Sequence, residues 1–263
     1  AAGFLAALAA FWLIAGLTGS SWYGMAGSIA IFAGGALAAG EGAILEILFD
    51  GFSYPYFPGF RRYIPALAMA AVFVFFGLIW KLLDDGEGRE ADSSSASHTS
   101  WKTYIICGFI VISFAYTVFS YFYVWTTAAA WFGCLFMIWL IERPEGWRRE
   151  VKLLAFLGAA FAVVLAPYAY LLSNRSDTME HVQLLVRTHA PDLFRFPEYI
   201  GFAVLLILIV GLATRRIEMK QRSTLFILSL ALVPFIVFNQ QILTGRSLQP
   251  IHYQVFIGNY LAG

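Results

Sequence analysis

Thr103–Ile141 runs for 39 residues without one Lys, Arg, Asp or Glu. As a single helix it would be about 58 Å long at 1.5 Å per residue. That is nearly twice the roughly 30 Å hydrocarbon core of a bilayer, so the run predicts two helices and a turn. Tyr121, Tyr123 and Trp125 cluster at its middle, and Trp101, Trp139 and Trp147 lie near its ends. Aromatic rings collect at membrane–water interfaces, which puts a tight hairpin at "YFYVWTT"; aromatics packed in a core are the other reading. Lipid is the solvent that composition also requires. The chain is 60% hydrophobic and 13% charged, against roughly half apolar and a quarter charged for a soluble domain. A 263-residue globule of this composition lacks the charge to make a polar skin.

The same criterion predicts about eight spans: Gly3–Leu17, Tyr23–Ala39, Tyr63–Leu83, Thr103–Phe122, Val124–Ile141, Val151–Leu172, Tyr199–Ala213 and Ser223–Phe238. The expected fold class is all-α, a polytopic transmembrane bundle with short interfacial helices in its outer loops, forming a single domain over 1–263. The second span, "MAGSIAIFAGGALAAG", is rich in small residues that let helices approach closely in lipid, which predicts a place inside the bundle. The chain starts without Met inside an apolar stretch with no basic flank, which reads as a cut helix of a longer protein rather than a signal peptide.

Orientation follows from charge. With eight spans, the Lys81–Lys102, Glu142–Lys152 and Thr214–Arg222 loops fall on one side and hold 11 of the 17 basic residues, so that side is expected to be cytoplasmic. Residues 84–100, "DDGEGREADSSSASHTS", read as a disordered cytoplasmic loop. The basic loops read as topology determinants in contact with lipid headgroups. A net charge of +1 gives no reason to expect nucleic acid. Cys107 and Cys134 sit in apolar runs without metal-ligand spacing and read as small buried hydrophobes. The only Lys, Arg, Asp or Glu inside a span are Lys81 and Lys152, each within two residues of a span end, so none sits at membrane depth, which argues against a proton relay or ion pump and places any chemistry at a membrane surface.

The outer loops carry the candidates. In "EGAILEILFDGFSYPYFPGFRR", Glu46 and Asp50 are four apart and share a helix face. They can act as a base or hold a divalent metal; a wet face on an interfacial helix is the plainer reading. Arg61 and Arg62 can clamp a phosphate with planar donors, or else snorkel. Asn174–Glu198 contains His181 and His189, eight apart and poorly spaced for a metal, and Val182, Leu185 and Val186 mark an amphipathic surface helix.

The closing stretch "FNQQILTGRSLQPIHYQ" interleaves Ile242, Leu243, Leu248 and Ile251 with polar groups, as expected of a segment packed on the bundle and facing a cavity. Gln240, Gln241, Gln249 and Gln254 offer donors and acceptors suited to sugar hydroxyls, and Tyr253 is a further substrate-binding candidate. Arg246 offers a cation for phosphate, and His252 titrates near neutrality and can shuttle a proton. The competing reading is a re-entrant turn whose amides satisfy its own backbone.

An outward-facing bundle with interfacial helices resembles the GT-C superfamily of membrane glycosyltransferases, and "NQQILTGRSLQPIHY" is similar to a stretch in bacterial polytopic proteins of that general type. The resemblance implies a bacterial inner-membrane enzyme that takes a sugar from a polyprenyl-phosphate donor at the outer face, with membrane lipid and the lipid-linked sugar donor as partners. The family's acidic signature in the first outer loop has no match here, so that role is not carried onto Glu46 or Asp50. Two other readings stay open: a transporter or flippase for an amphiphile, and a non-catalytic membrane protein.

Overall fold

The computed structural model describes residues 2–34, 63–84, 101–176, 186–247, 250–254 and 259–262. The described chain is almost wholly helical: α1 Ala2–Thr18, α2 Ser21–Ile29 with a π-helical extension Ala30–Gly34, α3 Tyr63–Asp84, α4 Trp101–Ser120, α5 Phe122–Glu142, α6 Trp147–Ser173, α7 Phe196–Ala213 and α8 Arg222–Phe238. One-turn helices follow at Gln241–Thr244 (α9), Pro250–Tyr253 (α10) and Asn259–Ala262 (α11), and a two-residue ribbon pairs β1 Val186–Arg187 with β2 Arg246–Ser247. Five helices, α3 to α7, are long and apolar enough to cross a membrane; α1 and α8 are apolar but only 17 residues each. The 39-residue run breaks at a single residue, Tyr121, whose φ of −153° and ψ of 118° end the helical geometry. At 27 residues, α6 is about 40 Å long, well beyond the ~30 Å hydrocarbon thickness.

Helix α3 is the hub, packed on α1, α4, α5 and α8, while α6 lies against α4 and α5, and α7 against α8. Lipid tails are as apolar as leucine, so the bundle is held by close packing and interhelical hydrogen bonds rather than by expulsion of water. Phe76 and Trp131 meet with ring centroids 4.4 Å apart, and Phe114 stacks on Phe161 at 4.3 Å. Trp131 Nε1 donates to Ser229 Oγ at 2.9 Å, which ties α5 to α8 through the centre. Trp80 Nε1 donates to Gly16 O at 3.2 Å and joins α3 to α1. A Cβ on Gly201 would lie 2.6 Å from Ala231 O, so that glycine sets how near α7 comes to α8.

Two expectations change. The start of the small-residue second span packs on α1 by one face only. Gly24 and Gly27 meet Phe11 and Ile14, while Trp22, Tyr23, Met25 and Ile29 are exposed. The face that approaches closely is the one carrying Gly24, Gly27 and Ser28, whereas the bulky Trp22, Tyr23, Met25 and Ile29 keep the rest of α2 away from the bundle. Val186, expected on an amphipathic helix, stands instead in β1 opposite Ser247; Val182 and Leu185 lie outside the described residues.

The helix ends sort into two groups. The α5–α6 turn, the α7–α8 turn and the C-terminal ends of α1 and α3 border one open cavity of about 520 Å³, lined by Leu17, Trp80, Asp84, Glu145, Glu218 and Lys220 among others. The basic loops therefore share one end of the bundle. At the other end, the closing stretch meets the start of α5 and the segment before α7.

Candidate functional site

At that second end the closing stretch forms a strap laid across the bundle. Its first anchor is Asn239, just past α8. Asn239 Oδ1 accepts from Asp192 N at 3.0 Å, and Nδ2 donates to Glu198 Oε1 at 3.1 Å and to Phe235 O at 3.0 Å. Glu198, 3% exposed, also accepts from Arg195 N through Oε2 at 2.9 Å, which caps α7. Arg195 then links three segments. Its Nε pairs with Asp192 Oδ2 at 2.7 Å, its Nη1 donates to Gln254 Oε1 at 3.1 Å, and its guanidinium sits 5.8 Å from the Phe238 ring centre.

The second anchor is the turn at α9. Gln241 is 3% exposed and its Nε2 donates to Ala190 O at 3.2 Å. His189 places Nδ1 3.0 Å from Ile242 O; a carbonyl can only accept, so that nitrogen carries the proton. Gly245 closes the turn with φ of 67°, a left-handed conformation that glycine adopts without strain, and Thr188 N donates to its carbonyl at 3.1 Å. The ribbon follows directly, with Arg187 opposite Arg246.

The third anchor reaches the aromatic turn of α5. Tyr253, 2% exposed, shares a 2.7 Å hydrogen bond with Thr126 Oγ1. Burial pushes the Tyr253 hydroxyl up to about 12, so it is a neutral hydrogen-bonding group at any physiological pH. His252 lies with Nδ1 3.1 Å from Tyr123 Oη.

The expected site residues thus divide. Gln240, Gln241, Arg246, His252 and Tyr253 are gathered at one end of the bundle. Gln241 and Tyr253 are buried and bonded to protein, so at these two positions the hydrogen-bonding capacity closes the strap onto the bundle. Arg246 remains exposed. Glu46, Asp50, Arg61, Arg62, Gln249 and His181 lie outside the described residues, as do residues 85–100 of the linker. Among the described residues no three His, Cys, Asp or Glu side chains gather to hold a metal ion.

Sequence reasoning passed over Glu198 and Asn239. The signal was present: Pro197 and Glu198 open a strongly apolar helix, the arrangement of a helix start with its carboxylate folded back on the first turn. It also passed over a cluster at the basic end, where Glu150 is 2% and Arg222 7% exposed. Arg222 Nη2 lies 2.7 Å from Glu150 Oε1 and donates to Glu145 O at 3.0 Å, and Trp139 Nε1 donates to Glu150 Oε2 at 2.7 Å. These two charges are bundle-internal fasteners, not headgroup contacts.

Fold and site together define a class, a polytopic α-helical protein with five membrane-crossing candidates and a polar strap over one end. Compared with known proteins, the chain matches no family model, no curated protein and no solved structure.

Proposed function

We propose that the chain is an eight-span protein of a bacterial inner membrane, its strapped end extracytoplasmic, acting as a GT-C-like glycosyltransferase on a polyprenyl-phosphate sugar. The observation that supports this reading is Arg246, an exposed guanidinium on the strap, at the end opposite the cation-rich loops. In the reaction, a carboxylate, Glu46 or Asp50, takes the proton of an acceptor hydroxyl. The oxygen attacks the anomeric carbon, the carbon–oxygen bond to phosphate breaks, and polyprenyl phosphate leaves. Arg246, with Arg61 and Arg62, stabilises the charge on the departing phosphate. His252, whose Nδ1 lies 3.1 Å from Tyr123 Oη, would carry a proton in this reading.

The test is sugar transfer from a polyprenyl-phosphate donor by the full chain and by Arg246→Ala. Loss of one charge-stabilising donor lowers turnover by on the order of a hundredfold; undiminished transfer removes Arg246 from the reaction.

A second reading, transport of an amphiphile, draws on Pro234. This proline lies inside the continuous helix α8 and lines a cavity of about 180 Å³ together with Leu13, Phe73, Phe76, Gly201 and Leu261 among others; a helix weakened by proline beside an intramembrane cavity would suit a transporter, whose helices break around the substrate. A proton- or sodium-coupled flux of substrate would favour it over transfer.

A further inference from the structure

The ribbon that fastens the strap has an unfavourable sequence for its position. It is two residues long on each side, and Arg187 stands directly opposite Arg246. Facing residues of an antiparallel pair emerge on the same side with Cβ atoms about 4.5–5.5 Å apart, and like charges set so are destabilising. So short a ribbon has no stability of its own. It is held from outside, by Thr188 N donating to Gly245 O, by His189 Nδ1 donating to Ile242 O and by Gln241 Nε2 donating to Ala190 O. Both arginines are exposed. Among the described residues neither has a carboxylate partner; the ion pairs there are Arg195–Asp192 and Arg222–Glu150. The fold therefore sets two exposed arginines opposite each other at the edge of an apolar bundle, with no carboxylate partner among the described residues.

We propose that Arg187 and Arg246 form a clamp for a terminal phosphate, a phosphomonoester or diphosphate. A dianion placed between two planar forks turns their repulsion into two charge-assisted contacts. The clamp deepens the transferase reading and rests on it for the lipid source, polyprenyl phosphate; the phosphate chemistry rests on the ribbon alone.

The test uses the full chain in nanodiscs of neutral phosphatidylcholine and measures binding of polyprenyl phosphate, of inorganic pyrophosphate and of phosphatidylglycerol, whose phosphate is a singly charged diester. Arg187→Gln and Arg246→Gln each weaken polyprenyl-phosphate binding by roughly tenfold. The double variant loses less than the product of the two, because each contact depends on the other. Neither variant lowers the melting temperature, since each removes a like-charge contact at an exposed position, whereas a merely structural arginine would be missed. Loss of pyrophosphate binding in the same pattern also supports the clamp and assigns it a soluble phosphate. Arg187→Gln binding like the wild type overturns the clamp and leaves Arg246 in the transferase reading. Equal loss of phosphatidylglycerol, or no binding of polyprenyl phosphate or pyrophosphate by the wild type, also overturns it. Clamp-dependent binding with no sugar transfer by the wild type keeps the clamp and sinks the transferase reading instead.

Discussion

Two buried polar contacts show what single residues do in this chain. Glu150 and Arg222 are enclosed at the basic end with Trp139 and the Glu145 carbonyl as hydrogen-bond partners. Removing one member of such a pair leaves the other charge buried without compensation, at a cost of about 3–5 kcal/mol. Glu150→Gln is therefore expected to lower the melting temperature in detergent sharply; an unchanged melting curve would mean that the pair is solvated. At the centre, Ser229→Ala removes the acceptor for Trp131 Nε1. An orphaned buried donor costs about 1–3 kcal/mol, again read by thermal unfolding, with Ser229→Thr retaining much of the wild-type stability through its hydroxyl. Neither contact was legible beforehand. Glu150 and Arg222 fall in stretches that read from sequence as loops, Glu142–Lys152 and Thr214–Arg222, whose charge excess already had a sufficient explanation in membrane orientation, and a basic residue at a helix end looks the same in sequence whether it faces water or a carboxylate.

Helices were legible where lipid dictates them. A long charge-free run leaves the backbone no partner but itself, so α3 to α7 fall within a few residues of the apolar limits and the break at Tyr121 falls inside the aromatic cluster expected to turn. Polar segments were less legible, because there the backbone has a choice of partners. Val186 sits in an apolar stripe of helical spacing, yet its backbone pairs with Ser247, some sixty residues away, and local periodicity carries no information about so distant a partner. For the candidate site, the closing stretch stood out in the sequence by its amides, and what the sequence did not show is that Gln241 and Tyr253 are buried and bonded to Ala190 and Thr126. Packing between helices gives a sharper expectation. Gly201→Val places its side chain against the Ala231 carbonyl, where even a Cβ would lie 2.6 Å away, so α7 must shift from α8. Crosslinking of paired cysteines across that seam should fall well below wild-type background; undisturbed crosslinking would mean that the helices yield elsewhere.

For the molecule as a whole, the division into two ends can be tested without knowing the reaction. Leu243 is 89% exposed on the strap, and Arg216 is exposed in the α7–α8 turn. In a background with Cys107 and Cys134 replaced, an impermeant maleimide applied to intact spheroplasts should label Leu243→Cys at once and Arg216→Cys only after permeabilisation. Labelling of both from outside would place the two ends on one side of the membrane and remove the basis for an extracytoplasmic strap. The arrangement also bears on how the molecule is assembled. Helix α7 leans chiefly on α8, while Phe202, Leu206, Ile207, Ile209 and Val210 remain exposed. A segment so outfitted is at home among acyl chains before it meets its neighbours. Arg187 stands before α7 and Arg246 after α8, so the two arginines face each other only where that helix pair has closed.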